Sequence, residues 1–282
     1  MDLQLKDKLC VVTGSTGGIG MAIAKMLAQN GAVVIVNGRS EESTETAVQI
    51  ISKHIGGNDA ASQRVWGASG DVSSADGVES FISKIMEIQT SMKREVVDVL
   101  INNVGMFHSQ DFVDVTDEKW SQYYDTNTMS GVRLSRHFLP RMMKRNSFGR
   151  VLFVSSEGAL KPLPNMIPYC VSKTSQLSLS RGLAELTKGS NNITVNALLP
   201  GPTLTQGVKD YMKSWASDNG FGDDIEAASS KYFEQFEPTS LLQRFLDPDE
   251  IAFAAVFLCS PRASGINGIA QHVDGGIVRH IS

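Results

Sequence analysis

Apolar positions along this chain follow two alternating rhythms. Compact β-rich runs occur at Leu9–Thr13 (LCVVT), Ala32–Val36 (AVVIV), Val96–Ile101 (VVDVLI), Val151–Val154 and Ile193–Leu198 (ITVNAL), with weaker ones at Arg64–Trp66 and Ala270–Val273. Continuous apolar runs of this length predict strands buried on both faces. Between them the apolar residues take helical spacing. Ile19, Ile23, Met26 and Leu27 share one face, stopped by Asn30-Gly31. Ser40 caps a helix with Glu41 and Glu42 in its first turn, fading at Gly56-Gly57. Ser73–Asp76 resembles a capping box ahead of Val78, Phe81, Ile82 and Ile85, and Thr116 caps a long helical region through Asn127 toward Arg145. A further helix runs from about Tyr169 to Lys188, and Asp247-Pro248-Asp249-Glu250 opens the last one. Residues 203–244 look less regular and are rich in aromatics. Strand-then-helix alternation means βαβ units with right-handed crossovers. The expectation is therefore one α/β domain over residues 1–282, a doubly wound parallel sheet with helices on both faces.

Composition narrows the partners. With 282 residues, 41% hydrophobic and 20% charged, the chain has material for an ample core. A net charge of −4 implies no strong basic patch, so nucleic acid and anionic membrane are not expected partners. Three cysteines, Cys10, Cys170 and Cys259, form no CxxC spacing, which argues against a disulfide framework or a zinc site, and no histidine–carboxylate cluster suggests another metal. No run is long enough to span a bilayer and no apolar segment follows a basic start, so a soluble, cytoplasmic protein is expected.

The glycines of Thr13–Gly20 follow a strand and open a helix, the context in which a turn binds a nucleotide pyrophosphate at a helix N-terminus. Gly14 allows the tight exit from the strand, Gly18 a close approach of backbone to phosphate, and Gly20 close packing of helix on strand. At the end of the second strand, where an acid favours a free ribose 2′-hydroxyl, this chain carries Asn37, with Arg39 beyond it. A guanidinium suits a 2′-phosphate, so NADP(H) is favoured over NAD(H), which stays possible. Tyr169 and Lys173 lie four apart on one helix and can reach one site.

Taken together these residues resemble the short-chain dehydrogenase/reductase family, in its short single-domain, 3-oxoacyl-ACP-reductase-like form with a Rossmann-type sheet. The resemblance covers nearly the whole chain and rests on Thr13-Gly14-x-x-x-Gly18-Ile19-Gly20, Asp71-Val72, Asn102-Asn103-Val104-Gly105, Asn127, Ser156, Tyr169-x-x-x-Lys173, Pro200-Gly201 and Asp274-Gly275-Gly276. It departs at Val104, where alanine is more usual, and in lacking an arginine before Gly18. It implies a catalytic tetrad of Asn127, Ser156, Tyr169 and Lys173, Ser156 lying thirteen residues before the tyrosine where Ser155 lies one position early. Cofactor contacts are implied at Gly14, Ser15, Thr16, Gly18, Ile19, Gly20, Asn37, Arg39, Ser40, Asp71, Val72, Asn103, Gly105, Tyr169, Lys173, Pro200, Gly201 and Thr203. It further implies a homo-oligomer, tetramer or dimer, built on the helices carrying Asn127 and Tyr169.

The chemistry follows from the side chains. Reducing a carbonyl places negative charge on oxygen, and Tyr169 is a suitable proton donor with an ordinary pKa of about 10. A neighbouring Lys173 ammonium is expected to lower that value, and the Ser156 hydroxyl to stabilise the oxyanion. In the family the lysine also holds the nicotinamide ribose, and Asn127 helps organise a water for proton relay. Substrate walls are expected at Met106, Phe107 and His108, at Glu157 to Met166, and in 203–244, whose aromatics either form a lid over a pocket or pack among themselves. Two classes of function compete, an NAD(P)(H)-dependent carbonyl reductase or alcohol dehydrogenase acting on a small molecule, and a nucleotide-sensing regulator without turnover. Sensors of that kind usually lose the Tyr/Lys pair, which this chain keeps.

Overall fold

The computed structural model describes residues 2–56, 64–190 and 192–279. Its sheet has seven parallel strands in the order β3-β2-β1-β4-β5-β6-β7: β1 Leu9–Val12, β2 Val33–Val36, β3 Val65–Gly67, β4 Val99–Asn102, β5 Gly149–Val154, β6 Ile193–Pro200 and β7 Ala270–Val273. The crossover helices are α1 Gly18–Gln29, α2 Glu41–His54, α3 Ala75–Ser91, α4 Asp117–Tyr123, α5 Ser130–Arg145 and α6 Ile167–Leu186, followed by α7 Gln206–Asp218, α8 Ile225–Phe236 and α9 Pro248–Cys259.

The period of two in the strands splits the core. Cys10, Val12, Val34, Val36, Val99 and Ile101 face α1, α2 and α9; Leu9, Val11, Val33, Ile35 and Leu100 face α3, α5 and α6. Both faces of β1 are thus fully covered, which is why its sequence shows no polar alternation. The order in which strands are added reverses between β1 and β4, and the crevice outside their carboxyl ends is where such sheets take ligands. Among the described residues no helix is long and apolar enough to cross a membrane.

Several boundaries differ from the sequence reading. Ser74, not Ser73, caps α3 by accepting from the Gly77 amide; the Ser73 hydroxyl instead donates to Asp71. The long helix after Thr116 is not continuous, because Tyr124–Met129 form a π-helical turn between α4 and α5. Residues 203–244 are more ordered than their composition suggests and contain α7 and α8. Val96–Asp98 stay outside β4, where the buried Asp98 carboxylate accepts the Leu9 amide and pairs with Arg145 at 2.8 Å. The helix stop expected at Gly56-Gly57 is met by a left-handed Gly56 (φ +90°), Gly57 lying outside the described residues.

Phe81, fully buried on the α3 side of the sheet, anchors that layer. Phe81→Ala should cost about 3–5 kcal/mol of unfolding free energy by chemical denaturation, from lost transfer energy and the cavity left behind.

Candidate active site

The turn between β1 and α1 is held by side chains rather than by its own backbone. Gly14 takes a left-handed φ of +59°, and a Cβ on Gly20 would lie 2.4 Å from the Gly14 carbonyl oxygen, so the helix packs onto the strand exit only without a side chain there. The Asn37 side chain is buried beneath this turn. Its Oδ1 accepts the Gly14 amide (3.2 Å), and its Nδ2 donates to the carbonyls of Ala68 (3.2 Å) and Gly70 (3.1 Å). The Ser15 hydroxyl donates to the Val12 carbonyl and accepts the Asn37 amide. Asn103 Nδ2 donates to the carbonyls of Thr13 and Gly14, joining the end of β4 to the turn.

Above this lattice lies a cavity of about 720 Å³, lined by Gly14, Thr16, Asn37, Arg39, Asp71, Val72, Asn103 and Gly105 of the sequence-predicted cofactor residues, and extending past Met106, Phe107 and His108. The exposed Arg39 has no polar partner among the described residues and borders this cavity. Other predicted contacts have local duties. Ser40 caps α2, Ile19 packs on the core, and the buried Thr203 donates to the Gly201 carbonyl. A Cβ on Gly201 would meet Asp274 Cα at 2.8 Å, which ties Pro200-Gly201 to the terminal Asp274-Gly275-Gly276 turn. Gly18 is left-handed (φ +54°) and faces Thr205, the cap of α7. The Asn37 side chain, placed by sequence at the adenine ribose, is thus engaged by the scaffold while still bordering the cavity, which Arg39 also borders.

The catalytic candidates converge at the carboxyl ends of β4 and β5. Ser156 and the Tyr169 ring both flank Gly158, whose Cβ would lie 3.4 Å from Ser156 Oγ and 3.6 Å from Tyr169 Cε1. Lys173, one turn along α6, is buried with Nζ 5.7 Å from the Tyr169 ring centroid and donates to the Val154 carbonyl at 2.8 Å. Asn127 sits in the π-helical turn; its side chain grips both the amide and the carbonyl of Met106 and donates to Ser172 Oγ. Its backbone carbonyl accepts from the Gln176 side chain. A π turn leaves helix carbonyls free for such outside donors. Ser155, the competing serine, donates to the Lys173 carbonyl and so clamps α6 to β5.

Burial dominates the electrostatics here. Desolvation, reinforced by the Glu157 carboxylate, raises the Tyr169 phenol well above its ordinary value despite the nearby Ser156 hydroxyl. Desolvation also brings Lys173 down to about 8, opposed by Glu157. Burial, not Lys173, sets the direction for Tyr169, opposite to the lowering anticipated from sequence, and holds the phenol protonated. Glu157 itself is raised to about 7 by desolvation, offset in part by the Ser156 hydroxyl. Ser172 and Gln176 had no assigned role in the sequence reading, and Glu157 only that of a pocket wall. Gln176 was readable as the residue one turn beyond Lys173, whereas nothing in the sequence marked Glu157 as more than part of a pocket wall.

The aromatics of 203–244 pack chiefly on one another: Trp215 stacks on Phe221 (5.9 Å) and meets Tyr232 edge-on, and Tyr232 meets Phe236 (5.0 Å). Phe107 reaches the active side instead, edge-on to Tyr169 at 6.2 Å.

Residues 14–278 match the family model described as enoyl-(acyl carrier protein) reductase. An uncharacterised oxidoreductase of Bacillus subtilis strain 168, YvrD, is 50% identical over 281 residues, covering all of both chains. Dehydrogenase/reductase SDR family member 4 of Bos taurus is 32% identical over 98% of this chain and 89% of its own. Among solved structures, L-sorbose reductase from Gluconobacter frateurii, complexed with NADPH and L-sorbose, superposes with a TM-score of 0.88 at 31% identity over the whole of both chains.

Because Asn37 donates to two backbone carbonyls, Asn37→Asp should not simply convert the site to one favouring a free ribose. It removes the donors and sets a carboxylate against carbonyl oxygens, so thermal denaturation should register a loss of about 1–3 kcal/mol.

Proposed function

Since the chain belongs to the short-chain dehydrogenase/reductase family and is an oxidoreductase, we propose that it interconverts a small-molecule ketone or aldehyde and its alcohol, with Tyr169 as general acid/base and NADP(H) as the favoured cofactor. The observation that carries this reading is the convergence of Ser156, Tyr169 and Lys173 beside the nucleotide-sized cavity.

The glycine cradle and the 720 Å³ cavity suit a dinucleotide, with Gly14, Thr16, Asp71, Val72, Asn103 and Gly105 along its length and Arg39 at the ribose end. Arg39 supports the phosphorylated form, as does the NADPH in the L-sorbose reductase structure. The bound cofactor supplies the hydride. This chain's residues handle the oxygen: Ser156 donates a hydrogen bond to it and Tyr169 Oη delivers the proton. Lys173, fixed by the Val154 carbonyl and lying beside Gly105, keeps positive charge near the developing phenolate. Asn127 holds the Met106 backbone that borders the pocket. Residues 203–244 flank the same site and form its lid, tied to the loop after β5 by the Lys161–Glu237 ion pair. A homo-oligomer belongs to this reading, and Val171 and Leu186, exposed on α6, supply apolar surface for it.

An NADPH-oxidation screen over ketones, aldehydes and acyl thioesters tests the activity. In it Tyr169→Phe should lower kcat by at least about 10²-fold, in line with the loss of a positioned proton donor, while NADPH binding by fluorescence titration is retained. Arg39→Ala should raise the NADPH dissociation constant by roughly 10-fold or more and leave that for NADH nearly unchanged, since only the phosphate loses a charge-assisted partner.

A further inference from the structure

The proton that Ser156 needs for a substrate carbonyl is already engaged. Its hydroxyl donates to Glu157 Oε2 at 2.6 Å, while its oxygen accepts the Gly158 amide at 3.0 Å. A hydroxyl has one proton, so Ser156 cannot donate to a substrate oxygen while this bond lasts. Nor can the bond be given up without replacement. Glu157 is half-buried at the carboxyl end of β5; besides the backbone amides of Glu157 and Gly158, the Ser156 hydroxyl is its one side-chain donor among the described residues, and a desolvated carboxylate that loses a donor is destabilised. The lysine of the same loop offers no relief, because Lys161 is paired with Glu237. Lys173, the cation on α6, is committed to the Val154 carbonyl and the Gln176 side chain. What frees Ser156 is a substitute donor that arrives together with the carbonyl.

We propose that Glu157 makes the enzyme selective for α-hydroxy ketones, and for the corresponding vicinal diols in the reverse direction. The substrate hydroxyl on the carbon next to the carbonyl donates to the Glu157 carboxylate, taking the place of the Ser156 hydroxyl, which then turns to the carbonyl oxygen. A ketone without that hydroxyl must either leave Glu157 without its side-chain donor or forgo Ser156. An acyl thioester fails in the same way. The inference rests on the carbonyl-reduction reading and names its substrate class.

The test compares acetoin with 2-butanone as NADPH-dependent substrates of wild type, Glu157→Leu and Glu157→Gln, at about pH 8, where a carboxyl raised to about 7 is ionised. A hydroxyl makes any ketone more electrophilic, so the readout is the change in the kcat/KM ratio between proteins. Wild type should prefer acetoin by about 100-fold or more, because a buried acceptor left unpaired penalises the analogue lacking the hydroxyl. Glu157→Leu should shrink that ratio by about 10- to 100-fold. Glu157→Gln, similar in shape and still holding an acceptor, should fall between, which keeps the test decisive if the leucine variant does not fold. An unchanged ratio in the variants overturns the inference. So does a wild type that reduces other carbonyls of the screen but not acetoin, in which case carbonyl reduction itself stands. A wild type that binds NADPH and reduces no carbonyl overturns the reduction reading and this inference with it.

Discussion

Parallel strands end in backbone groups that no neighbouring strand completes, and how those groups are satisfied determines what the crevice above them can hold. In this protein the side chains of Ser15, Asn37 and Asn103 do it. They bind the turn between β1 and α1 to the ends of β2, β3 and β4 in one hydrogen-bonded patch. The glycines are needed because these bonds draw the chain closer than a Cβ allows. The nucleotide cavity is therefore a by-product of how the sheet edge is closed, formed before any ligand arrives.

The catalytic end rests on the opposite device. Its side chains are stripped of water and given few partners, so their proton affinities move. Tyr169 is held as a phenol by burial and by Glu157, and Lys173 keeps its place through a single backbone carbonyl and a glutamine. Stability and reactivity thus draw on the same buried polar groups: fully bonded ones fix the turn, and sparsely bonded ones are left able to exchange protons and partners.

Most of the sheet was legible from sequence because every strand but the two edge strands β3 and β7 is buried along its length, and continuous apolar runs such as LCVV and VVIV read as buried strands without ambiguity. Family spacing singled out Asn127, Ser156, Tyr169 and Lys173, and the fold brings Ser156, Tyr169 and Lys173 together. What sequence concealed was direction. Asn37 and Ser15 look like ligand contacts by position, yet their side chains point into the scaffold. Glu157 looks like pocket wall, yet it holds the Ser156 proton. Whether a polar residue near a strand end faces the ligand or the backbone depends on contacts from strands far away in sequence, such as Ala68 and Gly70 for Asn37. The π-helical turn at Asn127 was hidden for the same reason, its carbonyl being taken by Gln176 on another helix. The helices of 203–244 were missed because their aromatics form a small core of their own rather than a stripe facing the sheet.

That small core sets apart two properties that most single-domain enzymes share. Met212, Ala216 and Ala228, with Trp215, Phe221 and Tyr232 around them, pack independently of both sheet faces. The packing of α7 and α8 can accordingly change while the packing of the sheet is kept, so this segment can vary in sequence without drawing on the stability of the rest of the chain.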